Sequence, residues 1–554
     1  MKPENALSRI NAKTRRMIQA TIFLFIVLLL AVSVFIGKEF IWSNYTVTEG
    51  EISQYDIFAP FDFSFVDIDG EVIEVKKNEL VIQRGEKVSK TQELAAKKLE
   101  IMQMQPKNIY YFFGIMLLLI ILAVLIVAYV TVYVPEAVFV LKNIVLLCVL
   151  SLLIVICTKA MLLSFWSVYL IPLAGVSMLV AILIDPGVAL MFTVVLSVFI
   201  GVLTGIRYDV MFTLLVGGFV GVYAVLNVRH RRNLTKAGLL VSLTNMVSIV
   251  SMGVINFVPI NHLVIQSGWG LANGIVSAIV VTGVLPIFEM LFGISTNITL
   301  LELSDLNQPV LKEMVLKAPG TYHHSLLVGN LAESAAEAVG ANSLLARVGA
   351  YFHDIGKLRM APYFSENQQQ TENKHDNLSP TISSLVIINH IKEGADLAKK
   401  YRLGKAIQDI IIQHHGDDVV HYFYHRALER HSPEDGKVEA EDFRYPGPKP
   451  QSKEAAIVML ADSVEAASRA MQQPTPAKIQ DIVNRIINNK FIDGQLNECD
   501  LTLKDLHVIS EVFAHILNGI FHTRVEYPDA KQSNNEQNKN KESSEKSKNK
   551  PAKT

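Results

Sequence analysis

The sequence predicts an all-α protein in two parts. An eight-helix transmembrane region with a small extracytoplasmic insert precedes a water-soluble, all-helical domain on the cytoplasmic side. Three observations carry this expectation. Half of the 554 residues are apolar, and they gather in uncharged runs long enough to cross a bilayer, which takes roughly 20 residues in a helix. The formal net charge of −1 conceals a segregation, with charge nearly absent from long stretches before residue 290 and dense afterwards. The segment 323–431 then holds ten of the fifteen histidines, which packing alone does not ask of a helical domain.

Taken in order, residues 1–16 read as a cytoplasmic N-terminal tail and 17–36 as the first transmembrane helix, uncharged and preceded by Lys13, Arg15 and Arg16. A cleaved signal peptide is the competing reading. The apolar stretch is too long for one, and no small-x-small cleavage site follows. Residues 38–107 are polar and punctuated, with strand-like stretches at Asp62–Asp67 and Val72–Val75 and a helix at Thr91–Met104. Seven further apolar segments follow within 109–293, near 110–133, 139–158, 162–184, 187–206, 209–228, 237–258 and 270–292. Ala237–Phe288 contains no Asp, Glu, Lys or Arg over 52 residues, so it must hold two spans, with a loop expected around Pro259–Gly270.

Basic loops set the orientation, since Lys and Arg favour the cytoplasmic side. The N-terminal tail carries Lys2, Arg9, Lys13, Arg15 and Arg16, and the loop after the sixth span reads Arg229-His230-Arg231-Arg232. An even number of spans puts both on the side of the C-terminal region, so both termini are expected in the cytoplasm and 38–107 outside. Residues 295–319 form a polar helical connector. From 320 to 528 the periodicity is helical, broken by the loop Ser432–Ser452 with its Pro446-Gly447-Pro448 cluster. The tail 529–554 has nothing apolar to bury and reads as disordered. With no basic excess, no nucleic acid polymer is expected as partner. Three cysteines, Cys148, Cys157 and Cys499, build no disulfide framework or zinc ribbon.

The histidine-rich segment supplies the candidate chemistry. His324, His353, Asp354, His390, His414, His415 and Asp462 are candidate metal ligands, because imidazole with carboxylate suits divalent transition metals. An adjacent His-Asp can place a nitrogen on one ion and a carboxylate between two. Gly356 would permit close backbone approach and Lys357 would aim a cation at the same place, making His353, Asp354 and Lys357 the candidate catalytic residues. His414-His415 follows the apolar run Ile410–Ile412, and Asp462 follows Val458-Met459-Leu460-Ala461, as expected where buried helices deliver side chains to a pocket. A lone histidine is more often a surface group. His323 is expected to point elsewhere, His375, His421, His425 and His431 to be solvated, and Glu333 and Glu337 to lie at the surface or behind the ligands.

Longer motifs accompany these residues. Gly320-Thr321-Tyr322-His323-His324-Ser325, Val328-Gly329-Asn330-Leu331-Ala332-Glu333 and His353-Asp354-Ile355-Gly356-Lys357 resemble the HD-domain phosphohydrolases. More narrowly, they resemble the membrane-bound PgpH-type (7TM–HD) cyclic-di-AMP phosphodiesterases. The likeness continues in Phe443-Arg444-Tyr445-Pro446-Gly447-Pro448, in Leu460-Ala461-Asp462-Ser463-Val464-Glu465-Ala466 and in Asp493-Gly494-Gln495.

The resemblance implies that His324, His353, Asp354 and Asp462 hold one metal. His390, His414 and His415 would hold a second, with Asp354 bridging. It also implies two divalent ions, manganese or iron, cyclic di-AMP as substrate, linear pApA as product, and a bacterial cell membrane as the location. Spacing alone implies only a dinuclear phosphohydrolase, in which paired metals stabilise attacking and leaving oxygens together. Two departures stand out: an external part much shorter than is usual for the family, and Asp417 where a Thr is common. The alternatives are an HD enzyme for cyclic di-GMP or guanosine tetraphosphate, and a non-catalytic nucleotide-binding membrane receptor. A transporter is disfavoured by the scarcity of intramembrane charge. A homo-oligomer is compatible with the sequence.

Overall fold

Apolar residues dominate the first three hundred positions, and helices take up nearly all of them after residue 90. The computed structural model describes residues 48–521, apart from 54–56, 60–61, 77–78, 84, 104–107, 134–139, 165, 206, 227, 369–372, 431–436 and 473. The expected span 17–36, the tails 1–16 and 529–554, and His431 lie outside these residues. Two compact units divide the chain. One runs to Gln308 and includes Ala398–Gln408; the other comprises Pro309–Leu397 and the chain from Asp409.

In the first unit, β1 (Ile57–Phe58) pairs antiparallel with β4 (Leu80–Ile82), and β2 (Phe63–Val66) with β3 (Val72–Val75). Phe63 and Phe65 point inward while Ser64 and Val66 are exposed, the period-2 pattern of a strand covered on one face. Helix α1 (Lys90–Gln103) adds Ala95 and Leu99 to that small core.

A helix lies in each of the seven apolar segments expected between 109 and 293, filling only the second half of 162–184: α2 (Asn108–Tyr133), α3 (Leu141–Leu162), α4 (Leu173–Leu183), α5 (Pro186–Leu203), α6 (Tyr208–Ala224), α7 (Arg231–Ile255) and α8 (Ile260–Phe292). Among the described residues, four of them (α3, α5, α7 and α8) are long and apolar enough to cross a membrane. The irregular backbone before α4 is met by Asn273 Nδ2, which donates to the carbonyls of Tyr169 and Ile171. Such groups need an internal partner where no water reaches them.

The turn between the last two apolar helices differs from expectation. It occupies Asn256–Pro259, and Ile260–Gly270 is helical. Pro259 pre-sets the backbone for a helix start, while Phe257 takes a left-handed φ of 57°. Gly270 serves packing: a Cβ there would lie 2.6 Å from Ile249 Cδ1, so its missing side chain lets α7 and α8 approach. After α8, Thr296 and Thr299 donate to Glu289, and Arg231 pairs with Glu302 at 2.8 Å. These contacts seat α9 (Asn297–Leu303), the first half of the connector.

From Pro309 onward come α10 (Pro309–Lys317), α11 (Pro319–Ala338), α12 (Ser343–Phe352), α13 (Pro380–Lys400), α14 (Lys405–Gln413), α15 (His421–Arg430), α16 (Lys453–Arg469), α17 (Pro476–Ile492) and α18 (Leu503–Ile520), all in the second unit save the end of α13 and the start of α14. Val328, Leu331, Val458, Leu460, Ile509 and Phe513 are fully buried in its core. Each such side chain contributes roughly 1.5–3 kcal/mol by leaving water. Every residue of α16 from Ala455 to Asp462 is buried, so the helix is central and Asp462 lies inside with it.

A candidate metal centre

Five short pieces of the second unit converge on one carboxylate. His324 comes from the second turn of α11, His353 and Asp354 from the end of α12, His390 from α13, His414 and His415 from just beyond α14, and Asp462 from the middle of α16. All are buried except His415, which is partly so. The anticipated role of Gly356 is visible: a Cβ there would lie 1.8 Å from the carbonyl oxygen of His390. Only glycine lets the turn after Asp354 run against α13.

The two Asp354 oxygens face different partners. Oδ2 lies 3.2 Å from His353 Nε2 and 3.6 Å from His324 Nε2. Oδ1 lies 3.5 Å from His390 Nε2 and 3.8 Å from His414 Nε2. Asp462 Oδ1 completes the first group, 3.0 Å from His324 Nε2. His390 and His414 approach to 3.3 Å between their Nε2 atoms. Three sets of ligand atoms each lie within 4.8 Å of one another: His324-His353-Asp462, His353-Asp354-His414 and His390-His414-His415. Donors about 2.1 Å from an ion stand ~3.0–3.4 Å from one another, so the spacing suits metal coordination. Asp354 Oδ1 is buried without a hydrogen bond, which is costly unless something binds it. These residues fit a metal centre.

The electrostatics differ across the centre. Burial works against charge on Asp354, but His353 and Lys357 beside it outweigh that and hold the carboxyl well below the usual range. Asp462 is likewise held low against burial by its hydrogen bonds from His324 and His353. Burial would lower His353, yet the Asp354 charge lifts it to about 10. His324 is also raised, by Asp462 and Glu465 acting against burial. On the other side burial prevails, lowering His390 and His415 and driving His414 to about 3.

Around the ligands, Glu366 carries no signal in the sequence, and Glu465 and Tyr445 carry none beyond lying in the longer motifs. Lys357 Nζ stands 2.7 Å from Asp354 Oδ2, as expected, and also 2.9 Å from Glu366 Oε1. Glu366 in turn accepts from Thr321 Oγ1. Glu465 accepts from His324 Nδ1 at 2.5 Å. Tyr445 stacks on His415 with ring centroids 4.3 Å apart, held there because its backbone N–H donates to Asp418 O while Arg444 donates to Asp417 O.

The remaining histidines divide. His323, His421 and His425 are exposed as expected. His375 overturns the expectation of a solvated side chain: it is 5% exposed, bonded through Nε2 to Tyr363 O and packed on Phe423. A polar stretch in sequence gives no hint that Tyr363 and Phe423 close over it. Glu333 pairs with Arg347 at 2.7 Å, away from the ligands.

Residues 109–296 match the family model of the 7TM receptor with intracellular HD hydrolase, and residues 321–467 match the HD domain. The chain therefore combines a 7TM-type membrane region with an HD domain, and an HD domain with these clustered groups implies divalent-metal binding.

Among curated relatives, the cyclic-di-AMP phosphodiesterase PgpH of Bacillus subtilis (strain 168) is 41% identical over 370 residues, spanning 65% of this chain and 52% of the relative. Its namesake in Listeria monocytogenes serotype 1/2a (strain 10403S) is 44% identical over 297 residues, 53% of this chain and 41% of the relative. The chain thus spans about half the length of the curated relatives it matches. A crystal structure of the L. monocytogenes PgpH HD domain with cyclic di-AMP is 49% identical, covers 40% of this chain and 100% of that one, and has a TM-score of 0.37.

Proposed function

We propose that this chain is an integral-membrane, metal-dependent phosphodiesterase that hydrolyses cyclic di-AMP to linear pApA. The observation that carries the reading is the position of Asp354, one oxygen toward His324 and His353 and the other toward His390 and His414. The curated relatives named for that activity support the choice of substrate.

In this reading His324, His353, Asp354 and Asp462 hold one divalent ion, and His390, His414 and His415 with Asp354 hold the other. Five imidazoles with two carboxylates favour manganese or iron over magnesium, which prefers oxygen ligands. When bound, such a pair supplies Lewis acidity and lets water ionise near neutral pH. The chain's own residues then orient and balance charge. Lys357, paired with Asp354 and Glu366, sets a permanent cation beside the phosphoryl oxygens. Tyr445 keeps the His415 ring in place.

The proposed arrangement in the membrane has eight spans, 17–36 and seven more within 109–293, with both termini cytoplasmic and 38–107 outside. The proposed domain limits are 295–319 for the connector and 320–528 for the HD domain. The deciding experiment offers the full chain in detergent, with manganese or iron, cyclic di-AMP, cyclic di-GMP and guanosine tetraphosphate. Turnover of cyclic di-AMP to pApA, lost in Asp354→Ala, is expected. Preference for another nucleotide, or metal uptake without turnover of any, would overturn the assignment.

A further inference from the structure

The imidazoles of the centre are not supported alike. His353, His390 and His414 each donate Nδ1–H to the backbone carbonyl three residues earlier, on Ala350, Ile387 and Ile411. Those acceptors are neutral. His324 instead donates Nδ1–H to a carboxylate, Glu465 Oε2, at 2.5 Å. Glu465 is 3% exposed and follows Asp462 by one turn on α16. Its other oxygen accepts from Arg469, one turn further along, whose side chain is 44% exposed. One face of α16 thus presents a ligand candidate, the support of a second ligand, and a clamp on that support.

A carboxylate on the far nitrogen fixes the tautomer, locks the ring and makes the metal-facing nitrogen a better donor. A backbone carbonyl does the first two and less of the third. The His324 side of the centre also has Asp462, with Oδ1 3.0 Å from His324 Nε2. The group opposite, His390-His414-His415, consists of imidazoles alone. Asp354 is common to both and cannot distinguish them.

From this asymmetry we propose that the two metal positions differ in affinity, and that Glu465 is the positioning residue that makes the His324-His353-Asp462 position the tighter one, filled first. The inference rests on the two-metal reading above and adds an order of filling to it. Arg469 belongs to the device because a buried carboxylate with one oxygen unpaired would be expensive to keep charged.

Titration of the chelator-stripped full chain in detergent with manganese alone tests this, with free manganese read by electron paramagnetic resonance. The parent is expected to bind in two steps of unequal affinity. Glu465→Gln, which keeps the shape and removes the charge, should weaken the tighter step about 10–100-fold and leave the other unchanged. His414→Ala should remove the weaker step and spare the tighter. Arg469→Gln should give a smaller loss in the same step as Glu465→Gln. Melting temperatures of the metal-free proteins check that each variant folds. Should Glu465→Gln fail to fold, Arg469→Gln decides by the same criterion. Two equal steps in the parent, or a Glu465→Gln that leaves the tighter step intact or weakens both alike, overturns the inference while sparing the metal centre. A parent that takes up no manganese overturns the metal centre itself.

Discussion

Gly356→Ala is the mildest substitution that reaches the centre. The added methyl carbon would lie 1.8 Å from the His390 carbonyl oxygen and 2.5 Å from the Gly394 amide nitrogen. Both are backbone atoms in the interior of α13, so neither can swing aside as a side-chain tip would. The turn carrying Asp354 and the helix carrying His390 must separate by about 1.2 Å to reach even a 3.0 Å contact. Overpacking of this kind costs about 1–3 kcal/mol, and rigid neighbours put it near the upper end.

A loss of about 3 kcal/mol lowers the melting temperature of a domain of this size by ~6–12 °C. The same displacement would stretch the 3.5 Å approach of His390 to Asp354 Oδ1, and errors of about 1 Å at a reacting centre can cost ~10²-fold in rate. The assays are thermal unfolding in chelator and cyclic-di-AMP turnover with manganese. A Gly356→Ala protein that melted with the parent and kept its turnover would refute the reasoning, because the close approach would then constrain nothing.

Other outcomes follow from the same geometry. Asp354→Asn, which removes the carboxylate facing both histidine groups, should keep the fold but lower turnover by at least ~10²–10³-fold; a loss below tenfold in a steady-state assay would count against the bridge. Chelation should abolish turnover and lower the melting temperature, and manganese at a hundred times its dissociation constant should restore about 2.7 kcal/mol; unchanged melting in chelator would speak against metal binding. In the metal-free protein, burial holds His414 at about 3, against ~6.5 when unfolded. The unfolded chain takes up a proton in that interval that the folded one refuses, so stability should fall as pH drops from about 6.5 toward 3. His353, raised to about 10, is protonated in both states there and adds no slope. Denaturant melts across that range that showed rising stability would contradict the assignment. Tyr445→Phe should preserve the stack on His415, whereas Tyr445→Ala should weaken manganese binding; equal binding by both would remove Tyr445 from the site.

What the sequence reveals of this centre depends on whether a residue's chemistry is unusual where it stands. His353-Asp354 and His414-His415 are legible because adjacent titratable residues inside apolar helical text have no packing motive, and the structure brings them together with His324, His390 and Asp462. Glu465 is not legible, because an acidic residue one turn after another on a helix is an ordinary surface pattern; only the arrival of His324 from 141 positions away gives it meaning. Glu366 and Tyr445 are hidden for the same reason. Each expected apolar segment between 109 and 293 contains a helix, yet the α7–α8 turn lies before its expected place, since polar and glycine residues such as Gly270 serve helix contact there as readily as a loop.

Charge balance ties these observations together. Asp354, Asp462, Glu366 and Glu465 share a small buried volume in which Lys357 and Arg469 supply the permanent positive charge. Four carboxylates against two cations leave a negative surplus that a protein interior does not tolerate uncompensated. Without metal, the compensation falls to protons on His324 and His353, both raised above the ordinary imidazole value, while His390, His414 and His415 stay neutral. A domain shaped only to bind a dinucleotide would have the opposite balance, since phosphates seek positive surroundings. In this centre a phosphodiester would meet carboxylates until divalent cations stood between them. Divalent cations would displace the protons on His324 and His353 and be held by the same carboxylates, so metal and imidazole protons compete for this centre.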